Sequence, residues 1–364
     1  MTVRIINADA LAGLAQLADD SVHCVVTSPP YWGLRDYGVE GQIGLEPTPE
    51  AFVVRLVEVF REVRRALRTD GTLWLNLGDS YCNTDKWGGG GGNSGKQTVA
   101  DGGDVPSWAV RRRRDHIPGL KPKDLVGIPW MVAFALRADG WWLRQEIIWN
   151  KPNPMPESVR DRCTKAHEHI FLLSKSERYF FDAEAIREPR TSNEDANGFR
   201  GGSYVAGEPG KRRTTGNIKV PSGWDTDPGT HGSIHRKGRT NGERKGKIRG
   251  LTPKHEGHVN HTTLDATPRG EGRNKRSVWT IATQPFAEAH FATFPEELAE
   301  TCIRAGCPAD GTVLDPFGGA GTTGLVADKL GRDAVLIELK PEYAAMAESR
   351  IRGACPMFSD VVAS

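Results

Sequence analysis

A glycine-rich segment late in the chain has the features of a ligand-binding turn. Residues 314–323 read Leu-Asp-Pro-Phe-Gly-Gly-Ala-Gly-Thr-Thr, between a strand predicted over 312–315 and a helix predicted to begin at Thr322. The glycines let the backbone approach a bound ligand closely. Glu338 ends the next predicted strand, about 20 residues further on, where a carboxylate suits bidentate hydrogen bonding to ribose hydroxyls. Together these features predict a site for an adenosine-containing cofactor.

Two competing cofactor motifs do not fit this turn. Its glycine spacing differs from the dinucleotide fingerprint, and it lacks the lysine of a phosphate-binding P-loop. Dinucleotide and nucleoside-triphosphate sites are therefore disfavoured.

A second motif follows a short apolar run near the N-terminus, where residues 27–32 read Thr-Ser-Pro-Pro-Tyr-Trp. Adjacent prolines fix φ, remove two N–H groups and force extended geometry on the residues before them. The rigid turn presents the Ser28 hydroxyl and backbone carbonyls as acceptors, beside the flat faces of Tyr31 and Trp32. Such a cluster suits a flipped-out base that carries an amino group. For this motif alone, an ordinary proline-rich turn with surface aromatic residues is the alternative.

Alternating strand and helix patterns connect the two motifs. Helices are predicted over residues 51–67 and 295–305, and leucines recur at helical spacing near the N-terminus. The alternation predicts an α/β fold, with helices on both faces of a mostly parallel sheet. Trp141 and Trp142 are predicted to pack in its core. The predicted strands cover residues 3–7, 23–27, 71–77, 147–149, 169–174, 312–315 and 334–338.

Two stretches interrupt the α/β pattern. Residues 190–276 are rich in Gly, Thr, Asn and Lys/Arg, and their basic residues outnumber the acids. A disordered linker is one interpretation. A shorter glycine-rich loop carries four arginines at 111–114, which predict either a basic contact or a solvated loop.

Length, charge and cysteine content narrow the class of protein. The chain has 364 residues and a net charge of +2, enough for one large domain or a catalytic domain with an insert. No apolar run approaches the roughly 20 residues that span a bilayer, and the N-terminus lacks a secretory signal pattern. We therefore expect a cytoplasmic location and no membrane partner. No metal is predicted, because the six cysteines form no C-x-x-C pair and His255, His258 and His261 are interpreted as solvated loop residues.

The two motifs together resemble those of the DNA amino-methyltransferase family, which carries (S/D/N)-P-P-(Y/F/W) and D-P-F-x-G-x-G-T. Here the first motif precedes the second, which resembles the permuted β group, in which a target-recognition region lies between them. The resemblance implies a Rossmann-like S-adenosylmethionine-dependent methyltransferase fold in circularly permuted motif order. It assigns the catalytic part to residues 1–185, a basic target-recognition insert to 186–276, the cofactor-binding part to 277–352, and a C-terminal tail to 353–364.

The resemblance also implies roles for individual residues. Thr322 and Thr323 match contacts to the methionine carboxylate, and Asp9 matches an acid that contacts the adenine amino group, although Ala8 replaces the usual preceding glycine. Segments 149–154 and 167–170 are similar to stretches that shape the base pocket, although His167 and Glu168 could equally be strand-edge polar residues. The implied catalytic residues are Ser28, Pro29, Pro30 and Tyr31; the implied cofactor-binding residues are Asp9, Phe291, Thr293, Asp315, Phe317, Gly319, Gly321, Thr322, Thr323 and Glu338.

The implied reaction is methylation of an exocyclic amino group in double-stranded DNA, with S-adenosyl-L-methionine as cofactor. Ser28 favours cytosine N4, because serine accompanies that activity in the family more often, whereas aspartate accompanies adenine N6. The absence of a Pro-Cys dipeptide argues against cytosine C5 chemistry. Alternatives are N6-adenine methylation, an RNA, protein or small-molecule substrate, and a non-catalytic DNA-binding protein with a vestigial fold. A homodimer and a cognate restriction endonuclease are further partners that the resemblance leaves open.

Overall fold

The computed structural model describes residues 1–33, 38, 39, 41–82, 119–189, 273–284, 294–354 and 360–363. The chain divides into two compact units, one formed by Met1–Ile186 with Asn274–Ser364 and the other by Arg187–Arg273. The first unit holds nearly all of the described residues, with all of their helices and strands.

The first unit is built on a nine-stranded sheet with the order β6-β4-β5-β3-β2-β7-β8-β1-β9. Neighbouring strands run parallel except at β5, which is antiparallel to both β3 and β4. The mostly parallel sheet predicted from the sequence is therefore confirmed. The strands are β1 (Thr2–Asn7), β2 (Val22–Thr27), β3 (Leu67–Leu77), β4 (Trp142–Asn150), β5 (His167–Ser174), β6 (Val278–Thr280), β7 (Thr312–Asp315), β8 (Asp333–Glu338) and β9 (Asp360–Ala363).

Helices cover both faces of the sheet, as predicted. Side chains of α1, α2 and α3 join one buried cluster, and side chains of α4, α5 and α6 join the other. In the described part of the chain the helices are α1 (Ala10–Leu14), α2 (Pro49–Ala66), α3 (Ile128–Ala138), α4 (Glu296–Gly306), α5 (Thr322–Lys329) and α6 (Pro341–Ala354). None of them is both long and apolar enough to cross a membrane.

Helix α2 illustrates how the sequence determines where a helix begins and which of its sides is buried. Its N-cap, Thr48, accepts a hydrogen bond from the Ala51 N–H at 3.2 Å, and Pro49 occupies the first turn, where its missing N–H costs nothing. Apolar side chains at helical spacing are fully buried against the sheet. The helix starts two residues before the predicted 51–67, because the cap lies outside the apolar pattern.

The prediction for the tryptophan pair is half wrong. Trp141 is buried, whereas Trp142 is 45% exposed. Trp142 begins β4, and successive strand residues point to opposite sides, so both rings could not enter one core.

The direction of β5 determines what meets at one edge of the sheet. Strands β1, β2, β3, β7 and β8 are mutually parallel, so their carboxyl ends lie together. Because β5 is antiparallel to β3, with Leu77 opposite His169, its first residues reach the same edge. Ligands of open α/β sheets bind at the carboxyl ends of the strands.

Candidate active site

Asp315 organises the glycine turn at the end of β7. Its carboxylate is buried and accepts hydrogen bonds from the hydroxyls of Thr27 at 2.6 Å and Thr323 at 2.7 Å, and from the Phe317 N–H at 3.0 Å. Burial raises the pKa of Asp315 to about 6, against these three donors. Because the Asp315 carboxylate accepts all three hydrogen bonds from the protein, it stabilises the conformation of the turn.

Two glycines give the turn its path. Gly319 and Gly321 have φ of +50° and +77°, in the left-handed region that favours glycine. At Gly321 a Cβ atom would come within 2.8 Å of the Ala347 Cβ, whereas at Gly319 it would meet only the Phe317 carbonyl oxygen, at 3.9 Å. Gly321 is therefore required by packing as well as by backbone conformation.

Glu338 faces this turn from the end of β8. Its Oε2 accepts the Gly319 N–H at 2.8 Å, and its Oε1 accepts the Lys340 N–H at 2.9 Å. Burial raises the pKa of Glu338, and the two backbone N–H groups oppose that shift. Each carboxylate oxygen has a second lone pair, so the group keeps acceptor capacity for two hydroxyls. This acceptor capacity fits the ribose hydroxyls of an adenosine-containing cofactor.

Asp9 lies beside Glu338, just beyond the end of β1. Asn7 is paired with Glu338 in the sheet, and the Ala8 N–H donates to the Glu338 carbonyl at 3.1 Å. Asp9 is the N-cap of α1, and its Oδ1 accepts the N–H groups of Leu11 and Ala12. Asp9 therefore lies at the same edge of the sheet as Glu338, and one of its oxygens caps α1.

The two threonines that open α5 differ from the expectation. The Thr323 hydroxyl is fully buried and donates to Asp315, so it faces the protein interior, not a ligand. The Thr322 hydroxyl accepts a hydrogen bond from Arg350 at 3.0 Å. An anion at this helix terminus would therefore meet backbone N–H groups, which lack intrahelical acceptors in the first turn.

The Ser28 turn lies at the end of β2, which is the sheet neighbour of β7. Pro29 is buried, while Ser28, Pro30 and Tyr31 are partly exposed. The structure therefore brings the Ser-Pro-Pro-Tyr motif next to the glycine turn. Trp32 departs from the expectation of an available flat face, because it is 3% exposed and its Nε1 donates to the Glu46 carbonyl at 2.8 Å.

Tyr31 is held by polar side chains from β3, from β5 and from the position just after β4. We call this set the Glu168 cluster: Tyr31, Asn76, Lys151 and Glu168. The phenol donates to Glu168 Oε2 at 2.7 Å, and Asn76 Nδ2 donates to the same oxygen at 3.1 Å. Lys151 forms an ion pair with Glu168 Oε1, and both side chains are less than one-fifth exposed, at 17% and 15%. Burial and the charge of Glu168 raise the pKa of Tyr31 well above its ordinary value.

The same cluster reaches Ser28. Asn76 Nδ2 lies 3.4 Å from Ser28 Oγ and 3.1 Å from the Tyr31 hydroxyl. Gly78 lies against the tyrosine ring, since a Cβ atom there would come within 2.5 Å of Tyr31 Cε2. Lys151 and Glu168 lie in segments 149–154 and 167–170, which resemble stretches that shape the base pocket, whereas Asn76 had no predicted role. The one feature of the sequence that marks Asn76 is an amide side chain near the end of the mainly apolar strand predicted over 71–77.

Several predicted residues lie outside the described part of the chain. These are Phe291, Thr293, the arginines at 111–114, His255, His258, His261 and all but the ends of the basic insert. In the described ranges, no group of three or more His, Cys, Asp or Glu side chains is arranged to hold a metal ion.

Comparison with known proteins shows which family this chain is similar to. The family model for N6/N4 DNA methylases matches residues 22–349. The type II methyltransferase M.Cfr9I from Citrobacter freundii is 41% identical over 349 residues, covering 96% of this chain and 87% of that protein.

Two solved structures share the fold. The PvuII DNA methyltransferase, described as cytosine-N4-specific, superposes with a TM-score of 0.54 at 16% identity, covering 99% of this chain and 96% of that one. TTHA0409 from Thermus thermophilus, described as a candidate DNA modification methylase, was solved in complex with S-adenosyl-L-methionine. It superposes with a TM-score of 0.52 at 23% identity and 99% coverage of both chains. Both superpositions show that this chain has the Rossmann-like methyltransferase fold. The chain belongs to the N6/N4 DNA methylase family.

Proposed function

We propose that this protein is a site-specific DNA methyltransferase that methylates the N4 amino group of cytosine in duplex DNA. S-adenosyl-L-methionine is the methyl donor. The observation that carries the proposal is the adjacency of Ser28, at the end of β2, to the glycine turn, at the end of β7. The Thr27–Asp315 hydrogen bond ties the two segments together at 2.6 Å.

The chemical problem is the weak nucleophilicity of the amino nitrogen, whose lone pair is delocalised into the ring. The Ser28 hydroxyl and the Pro29 carbonyl accept its two hydrogens and localise the lone pair on nitrogen. Pro29 and Pro30 hold these acceptors rigidly, and the ring of Tyr31 stacks on the flipped base. The cofactor supplies an activated methyl group on sulfur, so the contribution of the protein is positioning and electrostatic stabilisation.

We assign cofactor binding to the edge formed by β1, β7 and β8. Glu338 binds the ribose hydroxyls and Asp9 binds the adenine amino group. Phe317, Gly319 and Gly321 form the turn that the cofactor contacts. Thr322 and Thr323 bind the methionine carboxylate through backbone N–H groups, and Asp315 positions the turn. Phe291 and Thr293 line the methionine end.

Cytosine is favoured over adenine because Ser28 occupies the first position of the motif. A hydroxyl and a carboxylate can both accept an N–H hydrogen bond, so hydrogen-bond chemistry does not distinguish the two bases. The preference for cytosine rests on the family pattern. N6-adenine methylation by the same mechanism is the alternative.

DNA binding is assigned to the basic insert, whose lysines and arginines neutralise phosphates. The matched relatives carry type II methyltransferase names. We therefore propose that the protein works beside a restriction endonuclease of the same specificity.

Nucleoside mass spectrometry on unmethylated DNA, incubated with the protein and S-adenosylmethionine, tests the proposal. N4-methylcytosine is expected, whereas N6-methyladenine would assign the alternative substrate. The Pro29→Ala variant is expected to bind cofactor without turnover. Binding of cofactor by the wild-type protein with neither product formed, across DNA of varied sequence, would overturn a DNA substrate and favour RNA or a vestigial binding role.

A further inference from the structure

The loop between β4 and β5, residues 151–166, leaves and re-enters the sheet at the edge that carries Ser28. Asn150, the last residue of β4, is paired with His167, the first residue of β5. Lys151 then forms its ion pair with Glu168, which accepts a hydrogen bond from the Tyr31 phenol. The base of the loop is thus attached to the Glu168 cluster, beside the turn to which base binding is assigned.

Met155 lies in this loop and is 86% exposed, the highest value among the large apolar side chains of the described residues. The next highest is Val54 on α2, at 59%. Single exposed apolar residues are common on protein surfaces, so exposure alone assigns no function. What distinguishes Met155 is the backbone that presents it.

Prolines stiffen the backbone on both sides of Met155. The sequence over residues 152–156 reads Pro-Asn-Pro-Met-Pro. Each proline fixes its own φ and restricts the residue before it to extended geometry. A segment with few accessible conformations loses little entropy when it contacts a ligand. Met155 therefore combines a stiff backbone with an unbranched, adaptable side chain.

Hydrogen bonds anchor the loop before and after this segment. Asn153 Nδ2 donates to the Thr283 carbonyl at 3.2 Å, and the Thr283 N–H donates to Asn153 Oδ1 at 3.0 Å. Glu157 accepts from Arg162 at 2.7 Å and from the Lys165 N–H at 3.2 Å. Both ends of the segment 154–156 are thus fixed to the protein, while the apolar side chain between them is exposed to solvent.

The charge near this segment is predominantly positive. Lys123, in the segment before α3, pairs with Asp161 of the loop at 2.6 Å, and Lys121 nearby has a side chain that is 85% exposed. Arg160 in the loop is also exposed. The loop holds four basic residues against two acidic ones: Lys151, Arg160, Arg162 and Lys165 against Glu157 and Asp161.

This combination identifies the kind of partner. Exposed lysine and arginine side chains neutralise phosphates. One methionine offers far less apolar area than a stable protein interface needs. An apolar point among basic residues therefore fits a DNA duplex, in which phosphates flank an apolar stack of bases.

The position of Met155 fits a particular step. Its Cα lies four residues beyond that of Lys151, so the two atoms are at most about 14 Å apart. A base that is flipped into an active site leaves an empty space in its stack. Proteins that distort DNA insert apolar side chains, methionine among them, between base steps.

We propose that Met155 enters the duplex as the target base leaves it and occupies the space that the base vacates. The inference rests on the proposed function, which requires a base to be extruded from duplex DNA. Met155 contacts neither the methyl donor nor the reacting nitrogen in this scheme. It is a positioning residue that stabilises the extruded state.

Two forms of one duplex test the proposal. Both contain the sequence that the wild-type protein methylates, and one has an abasic site opposite the target base. Met155→Ala should lower kcat/KM about 10- to 100-fold on the paired duplex, because the vacated space is no longer filled. On the duplex with the abasic site the loss should be less than about threefold, since the target base is already unpaired. Equal losses on the two duplexes, or no loss on either, would overturn the proposal.

Matched variants separate the wedge from a general surface effect. Met155→Leu keeps an apolar side chain of similar volume and should retain kcat/KM within about threefold. Val54→Ala shortens an exposed apolar side chain on α2 and should change nothing. Because both positions are exposed, the Tm and the Kd for S-adenosylmethionine should match the wild type in every variant. A loss in Met155→Leu as large as that in Met155→Ala would contradict a role based on apolar volume.

Fluorescence of 2-aminopurine in place of the target base follows extrusion without methyl transfer. The analogue is quenched in the stack and bright outside it, and S-adenosylhomocysteine replaces the methyl donor. Wild-type protein should produce at least about twice the fluorescence rise that Met155→Ala produces at saturating protein. An equal rise would show that extrusion does not need Met155. Methylation by the wild type together with that result would overturn this inference alone, whereas no methylation of any DNA would overturn the proposed function and this inference with it.

Discussion

The Thr27 hydroxyl donates a hydrogen bond of 2.6 Å to Asp315, joining the strand that leads to Ser28 with the strand that leads to the glycine turn. The two residues are 288 positions apart in sequence. Both are buried, with exposures of 1%. The bond therefore sets the spacing of the two motifs in an environment that water does not reach.

Thr27→Val removes this bond and keeps the side-chain shape. The free energy of unfolding should fall by about 1–2 kcal/mol, because a buried carboxylate loses one of its donors. Urea unfolding measures the change. The matched control is Thr301→Val, whose hydroxyl donates at 2.9 Å to the Glu297 carbonyl within α4. Equal losses in the two variants would show that the link between β2 and β7 has no special importance.

Asp315 should give stability an unusual pH dependence. Its pKa is raised from 3.8 to about 6 in the folded protein, so the folded state binds a proton that the unfolded state releases. The contribution of Asp315 is thus full below about pH 4 and is lost as pH rises through about 6. Relative to Asp315→Asn, the wild type should gain up to about 3 kcal/mol as pH falls across this window.

The comparison with Asp315→Asn is made by urea unfolding at a series of pH values. Other carboxylates titrate equally in both proteins and cancel in the difference. A difference that is constant with pH, or that shrinks on acidification, would mean that the three donors hold Asp315 ionised.

Glu338 should govern cofactor affinity. Glu338→Ala deprives two ribose hydroxyls of an acceptor and leaves the Gly319 and Lys340 N–H groups without one. Hydrogen bonds to a charged group contribute roughly 1.5–3 kcal/mol, so the Kd for S-adenosylmethionine should rise about 10- to 150-fold. Calorimetric titration measures it. The exposed Glu342→Ala is the control, and an unchanged Kd in Glu338→Ala would remove Glu338 from the cofactor site.

The two left-handed glycines should differ in their tolerance of alanine. Both substitutions strain the backbone by roughly 1 kcal/mol. Gly321→Ala also places a Cβ 2.8 Å from the Ala347 Cβ, so it should destabilise the protein by at least about 2 kcal/mol. Gly319→Ala meets only the Phe317 carbonyl oxygen, at an ordinary contact distance of 3.9 Å, and should cost only the strain. Thermal unfolding of the two variants compares them directly, and equal losses would contradict the role of packing at Gly321.

The sequence predicted the local elements and the motifs they carry, because these depend on residues close together in the chain. The 312–315 strand, the Thr322 helix start and Glu338 at a strand end agree with the structure. The Glu168 cluster could not be predicted, because it requires β5 to run antiparallel to β3. Strand direction is settled by non-local pairing, and no residue in 167–174 encodes it alone. Likewise, the sequence alone could not show that the Thr323 hydroxyl donates to Asp315, 8 residues earlier in the chain.

The sheet order also bears on how the protein is made. Strands β7 and β8 lie between β2 and β1, although they come from residues 312–338. A chain still on the ribosome that has released residues 1–186 contains β1, β2 and β3, but the two strands that lie between β1 and β2 in the sheet are yet to be synthesised. Translation proceeds at about 5–20 residues per second, so this state persists for many seconds. Completion of the sheet is thus timed by the synthesis of residues 312–338, which supply β7 and β8.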